Sequence, residues 1–251
     1  MPIRAHCLSY LKRQRARTIL ACFLMASLLL VAFAGVDIYI SRLFFDDGFY
    51  LADQAWTTLL HESVGWFVVV SMVSVVGMLV FNCFSKRNSF GVDGKKVLYL
   101  FLVLILGAGL IVNVILKDNF GRARPRDIEE FGGSKHFTPA FVITSGCDRN
   151  CSFSSGDGAG AFFSLALAVA LSRKRAMAAA AVGFGILVSF SRIASGAHFF
   201  SDTVVSFFVM LVVTDVLHYY MFLPRPEPVE HTPALTLAML TRAPEKRSVP
   251  L

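Results

Sequence analysis

Apolar residues gather into six long runs, at about 18–40, 63–84, 97–116, 158–171, 176–190 and 203–223, with short polar segments between them. A membrane-crossing helix needs about 20 mostly apolar residues, so runs of this kind predict spans. The fourth and fifth are shorter and rich in small residues, which let helices approach closely in lipid. The pattern predicts an all-α fold, a six-transmembrane-helix bundle.

Composition sharpens this. Of 251 residues, 55% are hydrophobic and 16% charged, proportions that exclude an ordinary soluble domain. A net charge of +7 would by itself suggest a nucleic-acid partner, but its distribution points to a bilayer instead. Arg4, Lys12, Arg13, Arg15 and Arg17 precede the first run, and Lys86, Arg87, Lys95 and Lys96 separate the second from the third. Arg173, Lys174 and Arg175 lie between the fourth and fifth, while Arg225, Arg242, Lys246 and Arg247 follow the sixth. With both termini cytoplasmic, these segments obey the positive-inside rule. The long third loop, on the outer face, breaks it with Lys117, Arg122, Arg124, Arg126, Lys135 and Arg149. Anion binding would account for a basic outer loop.

The expected organisation is a basic N-terminal segment (1–17), a membrane domain (18–223) and a Pro-rich cytoplasmic tail (224–251). The tail is expected to be disordered, apart from a short surface helix at 234–240. Ala32-Phe33-Ala34 has the small-residue pattern of a signal-peptide cleavage site, but the apolar run continues through Ile40, which favours an uncleaved first helix. Cys147 and Cys151 share the outer loop, where a disulfide and two free thiols both remain open. No second Cys/His pair at ligand spacing accompanies them, so no metal is expected. Cys22 and Cys83 read as lipid-facing or packing residues, and Cys7 as an inner-side thiol.

Three clusters carry candidate chemistry. Lys117-x6-Arg124-Pro125 pairs two cations, and Pro125 keeps Arg124 extended. Arginine's planar fork suits a phosphate, donating two hydrogen bonds at once. Ser154-Ser155-Gly156-Asp157 opens a small-residue helix, whose N-terminal amides attract an anion and whose Ser155 or Asp157 equally suits a plain N-cap. Ser191-Arg192-x5-His198-x3-Asp202 adds a third cation and a His–Asp pair at i, i+4. A carboxylate on one ring nitrogen would fix the tautomer and free the other nitrogen to attack phosphorus. The topology puts all three clusters at the outer ends of helices three to six.

These three clusters resemble the three-part signature of the type 2 phosphatidic acid phosphatase superfamily, across roughly residues 18 to 223. The resemblance implies a bacterial inner-membrane phosphatase with a periplasm-facing site, removing phosphate from a phosphorylated membrane lipid without a cofactor. It makes His198 the nucleophile that becomes phosphohistidine and Asp202 its orienting partner. Lys117, Arg124, Arg192, Ser155 and Gly156 become the phosphate ligands. The family's second motif ends in a His that serves as general acid; here Asp157 stands in that place.

Three readings of Asp157 follow. It replaces the acid, which requires desolvation or a bound phosphate to raise its pKa and predicts an acidic rate optimum. Alternatively, the leaving group needs little protonation, as in a diphosphate. In the third reading, the chain is a non-catalytic lipid-binding or transport relative. Lys117-Asp118-Asn119-Phe120-Gly121-Arg122, Arg126-Asp127, Phe131-Gly132-Gly133 and Cys151-Ser152-Phe153 are more loosely similar to a subgroup that includes lipid A phosphatases of the 4′ type. Lipid A is therefore the leading expected substrate, with undecaprenyl diphosphate and phosphatidylglycerol phosphate as alternatives. In that setting Arg122, Arg126 and Lys135 are expected to contact a second phosphate, a sugar-phosphate headgroup or outer-leaflet lipids.

Overall fold

The computed structural model describes residues 2–85, 91–172 and 174–222, with side chains from residue 14 onward. The expectations for the tail at 224–251, the helix at 234–240, Cys7, the basic side chains before Gln14 and those at 86, 87 and 173 lie outside the described residues. What is described is all-helical, without a named strand.

Helix α1 spans Pro2–Ala32, α2 Gly35–Arg42, α3 Ala55–Ser85 and α4 Gly94–Val103, which continues as a π-helix over Leu104–Lys117. A fifth segment begins as α5 (Gly156–Phe162), runs on as α6 (Ser164–Leu167) and ends in a π turn at Ala168–Ser172. Helices α7 (Arg175–Ala194) and α8 (Phe200–Phe222) complete the bundle. Among the described residues, five stretches are long and apolar enough to cross a membrane, and the shorter apolar helix Gly156–Ser172 packs with them as a sixth member.

That short helix is the centre of the bundle. It packs against α3, α7, α8 and the π-helix, and its small residues Ala159, Ala161 and Ala166 are buried. Small side chains here allow the close backbone approach that holds membrane helices together. Apolar side chains such as Leu24, Trp66, Phe84 and Ile186 face outward, as a hydrocarbon solvent requires. Cys22 and Cys83 are exposed on this outer surface.

The first run departs from expectation. Its spanning part is Gln14–Ala32; the chain then turns and forms α2 as a separate helix, where Asp37 and Ser41 are buried. The cause is Asp37, whose carboxylate ion-pairs with Arg122 of the outer loop at 2.9 Å. A buried carboxylate is tolerated only with such a partner, and reaching it takes α2 off the line of the span.

Candidate active site

The turn between α7 and α8 explains the spacing of the third cluster. The Arg192 carbonyl accepts the amides of both Ala197 and His198, at 3.0 and 3.1 Å, which closes the end of α7 and fixes where His198 emerges. Gly196 makes the bend at φ +65°, and a Cβ there would sit 2.4 Å from the Phe49 ring. Asp202, in the first turn of α8, reaches back to accept the Phe199 amide at 2.8 Å, as an acidic residue does in a capping box.

His198 is 1% exposed. Its Nδ1 lies 2.8 Å from the Ser152 carbonyl and 3.6 Å from Asp202 Oδ2. A carbonyl only accepts, so Nδ1 carries the hydrogen and Nε2 keeps a free lone pair. Burial pushes the imidazole pKa below its ordinary value, with Lys117 and Arg124 adding to the effect against the opposing pull of Asp202. That direction favours the neutral ring, the form in which an imidazole can act as a nucleophile. The expectation that Asp202 orients His198 is changed in its detail. The direct hydrogen bond goes to Ser152, whose hydroxyl in turn donates to Asp202 Oδ2 at 2.6 Å. Asp202 Oδ2 thus holds the Ser152 hydroxyl and the Phe199 amide on either side of the ring, 3.6 Å from Nδ1 itself.

Behind it stands Arg122, also 1% exposed. It donates to Asp202 Oδ1 at 2.5 Å, Ser201 Oγ at 2.8 Å, Asp37 Oδ2 at 2.9 Å and the Thr138 carbonyl at 2.8 Å. Its guanidinium lies 4.2 Å from the centre of the Phe199 ring. Each nitrogen of the fork has a partner and the side chain is buried, so the expectation that Arg122 meets a substrate headgroup is overturned. Arg126 and Lys135 are exposed, as that expectation needs.

The remaining cations form an open pocket. Lys117 closes the π-helix, a geometry frequent at functional sites. Arg124 is extended at φ −80° and ψ 157°, as its place before Pro125 predicts, and donates to the Asn150 carbonyl at 2.8 Å. Burial, then Arg126 and Arg192, lowers the Arg124 pKa from its ordinary value, against the opposing pull of Asp127 and Asp157. Lys117, Arg124 and Arg192 are within electrostatic reach of Asp157. A cavity of about 340 Å³ opens beside Lys117, lined also by Asn113, Asp118, Asp148, Arg149 and Asn150. Cys147 and Cys151 are disulfide-bonded, and the bond staples the loop that carries three of those residues.

The second cluster completes the pocket. A Cβ on Gly156 would lie 2.8 Å from Asn113 Oδ1 and 3.4 Å from Lys117 Nζ, so glycine lets α5 begin directly against the lysine. Ser155 Oγ accepts the Gly158 amide at 3.1 Å, and the Ser155 amide points to the Asp202 carbonyl at 3.4 Å. Its hydroxyl therefore caps α5 while keeping its own hydrogen to donate, and the Gly156 and Asp157 amides have no partner within the helix. Asp157 Oδ2 is 2.9 Å from Arg192 Nε, an ion pair without the alignment of a hydrogen bond. The same oxygen accepts from His61 Nδ1 at 3.0 Å.

His61, Ser152 and Asp37 are the neighbours that sequence reasoning left unassigned. His61 and Asp37 each carried a signal, a titratable group at the edge of an apolar run, but nothing local names their partners. All eight expected site residues do converge at one end of the bundle.

Comparison with known proteins agrees with this geometry. The model of the PAP2 superfamily matches residues 96–226. A lipid A 4′-phosphatase of Francisella tularensis subsp. novicida is 32% identical over 81% of this chain and 94% of its own length. One from Rhizobium leguminosarum is 36% identical over 72% of this chain and 85% of that protein. In fold, the chain is similar to a PAP2-type phosphatidylglycerolphosphate phosphatase from Bacillus subtilis, with a TM-score of 0.54 at 20% identity, covering 82% of this chain and 94% of that one.

Proposed function

We propose that this chain, which belongs to the PAP2 superfamily, removes the 4′-phosphate of lipid A through a phosphohistidine on His198. The protein is a multi-pass membrane phosphatase, a phosphoric monoester hydrolase; the lipid, the position of its phosphate and the residue roles are the proposal. The observation that carries the mechanism is the His198 tautomer: Nδ1 is held by the Ser152 carbonyl, so Nε2 is the attacking atom. Lys117, Arg124 and Arg192, with the first amides of α5, hold the phosphoryl oxygens. Fixed cations aimed at the charge that develops during transfer usually lower the barrier more than any other feature of such a site. This protein charge supplies the stabilisation that elsewhere falls to a metal. The substrate assignment rests on relatives that share most of their length with this chain.

The basic segments on the opposite face favour cytoplasmic termini and a site open to the periplasm. The disulfide supports the same side, since such bonds persist in oxidising compartments.

The test is mass spectrometry of lipid A from cells that express the protein, beside cells that express His198→Ala. Lipid A lacking the 4′-phosphate in the first and intact in the second is the expected result. Unchanged lipid A in both would move the assignment to another phosphorylated lipid. Phosphate release by the detergent-solubilised protein in EDTA checks that no divalent metal is required.

A further inference from the structure

Asp157 Oδ2 lies 2.9 Å from Arg192 Nε, with Lys117 and Arg124 in electrostatic reach. A lipid alkoxide is a poor leaving group, and its departure calls for a proton. A second contact of the same oxygen points to a donor. His61 Nδ1 donates to Asp157 Oδ2 at 3.0 Å from the first turns of α3. Side-chain exposure is 50% for His61 and 23% for Asp157, so the pair joins solvent to the wall of the phosphate pocket.

We infer that His61 and Asp157 form a proton relay that protonates the departing lipid oxygen, with His61 as the reservoir and Asp157 as the group that faces the substrate. This rests on the phosphatase reading above. The groups around the relay are Arg192 on α7, Lys117 and Arg124 across the pocket, and Glu62 beside His61 in sequence on α3. With the substrate phosphate bound beside Asp157, the proton of the His61 imidazolium crosses the 3.0 Å contact to the carboxylate. His198 Nε2 then forms its bond to phosphorus as the phosphorus–oxygen bond to the lipid breaks, and Asp157 passes the proton to that oxygen. In the second half a water attacks the phosphohistidine, its proton returns through Asp157 to His61, and inorganic phosphate leaves. The net reaction is hydrolysis of one ester with one water.

His61→Asn tests this, since an amide keeps the hydrogen bond to Asp157 but holds no proton to transfer. The variant is compared with wild type by kcat and KM across pH on lipid A, and on p-nitrophenyl phosphate, whose leaving phenolate needs no proton. The relay requires kcat on lipid A to fall about 10²–10⁴-fold with little change in KM, and the alkaline limb of its pH profile to vanish. Turnover of the aryl ester stays near wild type. His61→Ala combined with Asp157→His, which moves the imidazole onto α5, should recover lipid turnover relative to His61→Ala alone. Wild-type kinetics in His61→Asn, or equal losses on both substrates, overturn the relay. Wild type that spares lipid A but hydrolyses phosphatidylglycerol phosphate refutes the substrate assignment alone, and the same comparison is then read on that lipid with the same two outcomes.

Discussion

Two ionic clusters lie within a few residues of each other in sequence and do opposite things. Around Arg122 one cation faces two carboxylates, Asp37 and Asp202, and all three are almost fully buried. In the pocket, Lys117, Arg124 and Arg192 gather around the carboxylate of Asp157, which remains partly exposed. The first cluster is closed: each Arg122 nitrogen has a partner, and the side chain is buried. The second is partly open, and a phosphate can enter among its cations. An ion pair that completes itself builds structure, and one that is left incomplete recognises a ligand.

The comparison is broken most forcefully at Arg122. Replacing it with Leu strands two buried carboxylates and should destabilise the fold by about 3–5 kcal/mol. The check is thermal unfolding in detergent, where an unchanged transition would contradict the closed-cluster assignment. Arg124→Ala should do the reverse, leaving the unfolding transition nearly unmoved while kcat/KM on the lipid drops by about 10²–10³. Loss of stability without loss of rate there would merge the two clusters into one structural network.

The smallest effect is in pH. Burial lowers the His198 pKa beneath its ordinary value of 6.5, so the acid limb of kcat/KM should lie below pH 6.5, the nucleophile staying unprotonated as pH falls through that value. The stability sign is the same: the unfolded chain takes up the proton first, so the contribution of the neutral ring is complete above pH 6.5 and is lost on acidification through the lower, folded value. An acid limb at or above 6.5 would mean that another group sets the profile.

The residues that the sequence made legible are those whose geometry is local. Arg124 is extended because Pro125 follows it, and His198 emerges where the Arg192 carbonyl closes the turn, so motif spacing and observed structure coincide. The spans were legible for a similar reason, since a bilayer demands a long apolar stretch of each helix that crosses it. What stayed hidden depends on pairs far apart in the chain. Arg122, Arg124 and Arg126 alternate along one basic segment, and no local rule says that the first is buried, the second lines the pocket and the third is exposed. Asp37 was concealed within an apolar run whose break depends on a partner 85 residues away. The bond between His61 and Asp157 spans 96 residues, and neither end announces the other.

The contact between Asp37 and Ser201 has a consequence for how the protein is made. These residues are 164 apart in the chain, one before the second span and the other at the start of the last. A ribosome delivers Asp37 to the membrane long before Ser201 and Asp202 exist, so the latch between them can close only when synthesis is almost over. Until then the nascent chain carries an acidic group at the bilayer boundary with its final partners missing. Completion of the catalytic turn and completion of membrane assembly are therefore one event, and a chain cut short before α8 has neither.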